Sequence, residues 1–141
     1  MATALRRTRQ CVAFCYAMAN VGLLLDMAPL VGPDGLWPAE HFHKRRWEDF
    51  PHWCSMLAHF PSILHLTGSS MSAMRSVATL GLAASLHGLM AAYPPTFVAM
   101  FVCFGSFTVA DGLVLWFPWD GMLLEAGLLC ALCFERGPQP R

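Results

Sequence analysis

At 141 residues, of which 56% are hydrophobic and only 13% charged, the chain falls well short of the roughly one quarter of charged residues that clothe a water-soluble domain, so lipid is expected to be its main solvent. Nine Lys and Arg balance nine Asp and Glu, which leaves no basic field to attract nucleic acid. The length admits one domain, residues 1–141, without a separate soluble unit beyond the apolar stretches.

The first ten residues carry Arg6, Arg7 and Arg9 with no acid, and an apolar run over 11–30 follows. That arrangement has the form of a signal peptide, but the run is about 20 residues where a signal core has about 7–15. Pro29 and Gly32 also stand where a small-residue cleavage site would be. The run is therefore read as an uncleaved first transmembrane span, with Asn20 and Asp26 inside it. An arginine-bearing start of this kind also suits mitochondrial import.

Residues 32–70 read as an interfacial loop and helix. Gly32, Pro33, Asp34 and Gly35 have turn chemistry, and Trp37 can sit at headgroup level beyond the turn. Lys44, Arg45, Arg46, Glu48 and Asp49 form the one strongly charged patch. Trp53, Leu57, Phe60 and Leu64 recur at helical spacing, which predicts an amphipathic helix in the interface broken near Pro61. The alternative is a re-entrant hairpin packed inside the bundle. Trp37, Trp47 and Trp53 would anchor a protruding contact surface over 32–66.

Ser70 and Ser72 are start signals for a second span over 71–93. Within it Gly81 and Ser85 are four apart, as are Ala84, Gly88 and Ala92, so two rows of small residues offer a bed for another helix. Pro94 and Pro95 force a tight turn into a third span over 96–116, which holds Ser106, Thr108 and Asp111. Asp120, just past Pro118, is placed to cap a fourth helix over 119–134. At roughly 1.5 Å per residue that helix falls short of a hydrocarbon layer about 30 Å thick. The expected fold is all-α: a polytopic membrane helical bundle of about four transmembrane helices with one amphipathic interfacial or re-entrant helix. The basic N-terminus would face the cytosol or the mitochondrial matrix, because the loop over 32–70 is net negative.

Charges inside apolar helices need partners. Asp26, Arg75, Asp111, Asp120 and Glu125 are the candidates for a structural polar cluster, with Arg75 able to form bidentate bonds to carboxylates at shared helix ends. Asp120 and Glu125 are five apart and do not share a helical face. As capping and hydrogen-bonding groups they need no further role; as membrane carboxyls they could also line a ligand or proton path. Gly81, Ser85 and Gly88 complete the interface candidates. Five of the six cysteines lie in or beside apolar runs, where cysteine packs as a small hydrophobe. The Cys130-x-x-Cys133 pair has redox or metal spacing, yet sits late in a helical run and reads as packing. His41, His43, His52 and Cys54 lack a zinc spacing, and His87 alone falls within a span, too few for a haem pair. No nucleotide-binding or hydrolase motif is present. Neither catalysis, metal nor cofactor is expected, although a bound structural lipid is compatible with the composition.

Three motifs point to a family. Gly32-Pro33-Asp34-Gly35-Leu36-Trp37-Pro38 follows a Gly-x-x-Gly-x-x-Pro pattern, and a proline-led apolar segment over 61–66 leads into the next span. The most specific is Trp119-Asp120-Gly121-Met122-Leu123-Leu124-Glu125-Ala126-Gly127, a Trp-Asp-x-Leu-Leu-Leu-Glu-x-Gly signature with Met122 in place of one leucine, a nearly volume-neutral exchange. Over about residues 11–134 the chain resembles the membrane part of the lipase maturation factor family. The resemblance implies an endoplasmic-reticulum membrane protein that helps secreted lipases fold. It also implies further spans and a large C-terminal domain to which the client-facing activity is attributed. With the sequence ending at Arg141, the expectation is the N-terminal membrane region only, without that domain.

The leading expectation is accordingly a non-catalytic accessory or scaffold subunit of a larger membrane complex. It would form a hetero-oligomer with other integral membrane proteins, contact membrane lipids, and pack through its helices and the 32–66 loop. The alternatives are an endoplasmic-reticulum maturation factor for secreted lipases, and a ligand or proton conduit through Asp111 and Glu125. The mitochondrial inner membrane and the endoplasmic reticulum are both open as locations.

Overall fold

The computed structural model describes residues 2–36, 38–40, 44, 48, 52–59, 61–111 and 118–133. Every regular element among these is a helix: α1 (Ala2–Val31), α2 (Trp53–His59), α3 (Leu64–Thr67), α4 (Met71–Ala91), α5 (Pro94–Asp111) and α6 (Pro118–Leu132). The all-α expectation holds.

The first helix starts ahead of the apolar run because Leu5, Arg6 and Arg7 are good helix formers and no proline intervenes before Pro29. Its 30 residues rise about 45 Å, enough to cross a hydrocarbon layer of about 30 Å and extend beyond it. Past Pro29 the chain turns: the Gly32 N–H donates to the Ala28 carbonyl at 3.2 Å and the Leu36 N–H to the Pro29 carbonyl at 2.9 Å. Further on, Ser70 caps α4 by accepting the Ala73 N–H at 3.3 Å. That helix ends on Ala92, a non-glycine residue in the left-handed region at φ 49°, and Pro94 opens α5 two residues later.

Close packing is concentrated where α1 lies along α4. A Cβ on Gly81 would stand 2.7 Å from Asn20 Oδ1 and 3.2 Å from Cys103 Cβ, and one on Gly88 2.9 Å from Met100 Cε and 3.2 Å from Ala13 Cβ. Between them Ser85 is fully buried and returns its hydroxyl to the Gly81 carbonyl at 2.7 Å. The small face of α4 is thus occupied within the chain, by α1 and α5. Buried Asn20 donates to the Tyr16 carbonyl at 2.8 Å, while its Oδ1 has no N–H or O–H partner. It lies against Gly81, where an added Cβ would stand 2.7 Å from it.

Two apolar cores are stacked along the bundle. One joins Leu23, Met27, Val31, Leu64, Met74, Val77 and Phe107, and the other Ala13, Tyr16, Phe97, Met100, Phe104 and Cys130. The segment 61–67 reaches the first core by a hydroxyl network. Ser62 Oγ donates to the Ser106 carbonyl at 2.9 Å, and the Ile63 N–H donates to Ser106 Oγ at 2.9 Å. Leu64 is thereby buried, and the segment expected to break near Pro61 forms two short helices on either side of that proline, α2 and α3.

The expected count of crossings is corrected. Among the described residues one helix, over Thr3–Val31, is both long and apolar enough to cross a membrane; the apolar helix over Pro94–Thr108 is shorter. α4 has the length, but Arg75 and His87 with several hydroxyl residues lower its hydropathy. α6, at 15 residues, rises only about 22 Å. About four spans were expected because each oily run was assigned to lipid, whereas among the described residues α6 and the apolar part of α5 are too short for the hydrocarbon layer and α4 is too polar.

Gly22 and Gly81 separate packing from helix propensity. A Cβ at Gly22 meets nothing within 4 Å, so Gly22→Ala should raise stability by about 0.5–1 kcal/mol. Gly81→Ala gains the same propensity yet drives a methyl into Asn20, and should lower stability by about 1–3 kcal/mol. Thermal unfolding of the two variants in one detergent checks the opposite signs.

Candidate functional site

The site is an apolar groove whose closed end is built by α1. Because α4 and α6 run antiparallel to α1, their C-terminal carbonyls, which have no partner in their own helices, arrive beside its first turns. Arg9 meets one set: its Nε donates to the Cys130 carbonyl at 3.2 Å and its Nη2 to the Cys133 carbonyl. Gln10 meets the other, donating from Nε2 to the Leu89 carbonyl at 2.9 Å. A guanidinium at the negative end of the α6 dipole gains further from its charge.

One and a half to two turns along α1, Tyr16 seals the same end. Its hydroxyl donates to the Leu123 carbonyl at 3.0 Å, and its ring meets Phe104 edge-on at a centroid distance of 5.8 Å. The ring lies so close to α6 that a Cβ on Gly127 would stand 2.8 Å from Tyr16 Cε2. Only glycine at 127 permits this seat.

Beyond Tyr16 the helices part. The opening between α1, α5 and α6 is a groove of about 660 Å³, walled by Ala19, Leu23, Phe104, Phe107, Leu123 and Ala126. Asp26, Thr108, Trp119 and Asp120 lie at its far end, while Cys11 and Cys15 line it toward the closed end. A smaller apolar cavity of about 260 Å³ lies under the 61–66 segment against α5.

The structure brings Asp26 and Asp120 to the same groove but leaves Arg75 and Glu125 out of it, each exposed on its own helix. Among the described residues no ion pair joins Arg75 to Asp26 or Glu125. The Asp111 side chain, Trp37 and Trp47 lie outside the described residues; Trp53 begins α2, its side chain likewise outside them. Gly81, Ser85 and Gly88 stand on the buried face of α4. No group of three or more His, Cys, Asp and Glu is placed to hold a metal ion among the described residues.

A family model described as the lipase maturation factor transmembrane domain matches residues 4–138. The chain belongs to that family. Neither the curated proteins nor the solved structures hold a match to it. With one helix able to cross a membrane, this lipase maturation factor transmembrane domain is an integral membrane chain.

The signature on α6 acquires a physical reading. Trp119, Asp120, Leu123 and Ala126 face the groove, and Gly127 admits the Tyr16 ring. Leu124 turns the other way, a Cδ2 standing 3.4 Å from where a Cβ on Gly105 of α5 would be. Glu125 alone in this stretch is exposed without a role in the packing. Sequence reasoning missed Arg9, taken only as a topological charge, and Tyr16, taken as one more apolar residue. For Arg9 no signal marks which carbonyls it meets. For Tyr16 the glycine that ends the signature, Gly127, is the available hint, since a glycine deep in a helix signals a close neighbour.

Arg9→Met should lower stability by about 2–3 kcal/mol, because a buried carbonyl at Cys130 and a part-buried one at Cys133 lose charge-assisted donors. Arg9→Lys should recover only part, since an ammonium is a point charge rather than a fork. Unfolding temperatures of the three proteins in one detergent test the order wild type, Lys, Met.

Proposed function

We propose that this chain is the membrane module of an endoplasmic-reticulum maturation factor for secreted lipases, acting by binding rather than by turnover. The observation that carries the reading is the family match over residues 4–138. It favours maturation over a generic scaffold subunit. An apolar groove with two carboxylates at one end suits a module that holds a nonpolar group or positions a partner. Other integral membrane proteins, and the lipase client itself, are the partners this reading requires.

Removal of the protein from lipase-secreting cells provides the test. Secreted lipase activity should fall several-fold at unchanged lipase transcript level, with inactive lipase retained in the endoplasmic reticulum, and re-expression should restore it. Unchanged lipase secretion, together with recovery of the chain in a stable complex from a non-secretory membrane, would replace this reading with the scaffold subunit.

A further inference from the structure

Two cysteines on α1 stand outside both apolar cores. Cys11 and Cys15 are free and exposed, and at a spacing of four residues they lie one above the other on a single face of the helix. Arg7, also exposed, stands a further turn back on that face, with exposed Arg6 beside it. Arg9 differs, being buried and turned to the end of α6. The helix thus sends one arginine inward as a cap and holds two outward ahead of the cysteines. Cysteine is among the most buried residue types, and this chain does bury Cys103 and Cys130, so an outward pair at the start of the crossing helix calls for a reason other than packing. Cys11 is the first residue after the arginine-bearing segment, at the boundary between basic and apolar sequence, and Cys15 lies about 6 Å deeper at the helical rise. Thiols at that level beside a span are acceptors for reversible fatty acylation.

We propose that Cys11 and Cys15 form an S-acylation site whose donor is a long-chain acyl thioester of coenzyme A, reached from the side of the membrane that the basic end faces. Sγ bonds to the acyl carbonyl carbon and gives up its proton, the bond from that carbon to the coenzyme A sulfur breaks, and the leaving thiolate takes the proton. One thioester replaces another, so neither oxidant nor reductant is required. Such a donor carries phosphates at one end and hydrocarbon at the other, and this face of α1 complements both. Arg6 and Arg7 offer guanidinium groups to phosphate. Cys11 and Cys15 line the apolar groove, and the next α1 positions that line it after Cys15 are the small Ala19 and Gly22. An added carbon on Gly22 meets nothing within 4 Å, so an attached chain has an open apolar surface to lie against. The other two exposed cysteines have no such setting: Cys54 is on the short α2 and Cys133 lies just past the end of α6. The inference stands on one face of α1 and is independent of any lipase client.

Acyl exchange on the full chain expressed in cells tests the site. Membranes are reduced, free thiols are blocked with N-ethylmaleimide, thioesters are cleaved with neutral hydroxylamine, and the thiols so released are coupled to a maleimide mass tag and counted by gel shift. Wild type should gain at least one tag that depends on hydroxylamine, and cells fed an alkyne analogue of palmitic acid should label the chain. Cys11→Ser combined with Cys15→Ser should lose both signals, whereas Cys54→Ser combined with Cys133→Ser should keep them. Because Cys11 and Cys15 are exposed, the first double variant should unfold in detergent at the temperature of wild type stripped with hydroxylamine, which separates loss of the acceptor from loss of the fold. The proposal is overturned if wild type gains no tag, if tagging persists in the Cys11→Ser/Cys15→Ser chain, or if it disappears from the Cys54→Ser/Cys133→Ser chain.

Discussion

The fold depends on what the third turn of α1 does for the ends of other helices. A helix that finishes inside a protein leaves four carbonyls without partners, and in an apolar setting each is costly to leave bare. Arg9 and Gln10, adjacent in sequence, point to two different helices and supply donors to both, at Cys130 on α6 and Cys133 just past its end, and at Leu89 on α4. Two antiparallel partners are thereby fixed at the same height on α1. Positive charge on this segment is usually read as a topological signal, and in this chain one of the arginines is also a structural cap.

From that fixed height the helices diverge or converge according to side-chain size. Along α4 they converge: Gly81, Ser85 and Gly88 let α1 and α5 approach until the next added carbon would collide with Asn20, Ala13 or Met100. Along α6 they converge only as far as Gly127, where the Tyr16 ring fills the gap, and then separate. Nothing larger than Ala19 and Gly22 continues the α1 wall until Leu23, so the separation is not filled and the groove remains. The cavity is a consequence of one tight glycine contact followed by small residues.

What could be read from the residues was whatever local chemistry decides. The start of α4 at Ser70, the break before Pro94 and the turn after Pro29 follow from capping hydroxyls and from proline's missing N–H, and need no tertiary information. A four-residue spacing of small residues marks a face on which some helix lies, but not that α1 and α5 are the helices concerned. The number of crossings was out of reach for a related reason. An oily run in the sequence does not fix the length of apolar helix it forms, and among the described residues α6 and the apolar part of α5 fall short of the hydrocarbon layer. Arg9 was illegible because its partners are carbonyls, which every residue carries, more than 120 positions away. The polar residues were visible as candidates, but their grouping was not: Asp26 and Asp120 share a groove because α1 and α6 run antiparallel, a fact of topology.

The signature on α6 shows why membership of the family and the shape of the groove are connected. Its residues divide by helical face. Trp119, Asp120, Leu123 and Ala126 line the opening, Gly127 lies under Tyr16 at the point where the opening closes, and Leu124 packs toward Gly105 on α5. A change at Gly127 would push α6 away from α1 and deprive Cys130 and Cys133 of the Arg9 bonds. A change at Leu124 would instead loosen α6 from α5 without touching the Tyr16 seat. One short sequence therefore sets both the depth of the groove and the anchoring of its wall. That coupling accounts physically for a motif that alternates bulky apolar positions with a single glycine.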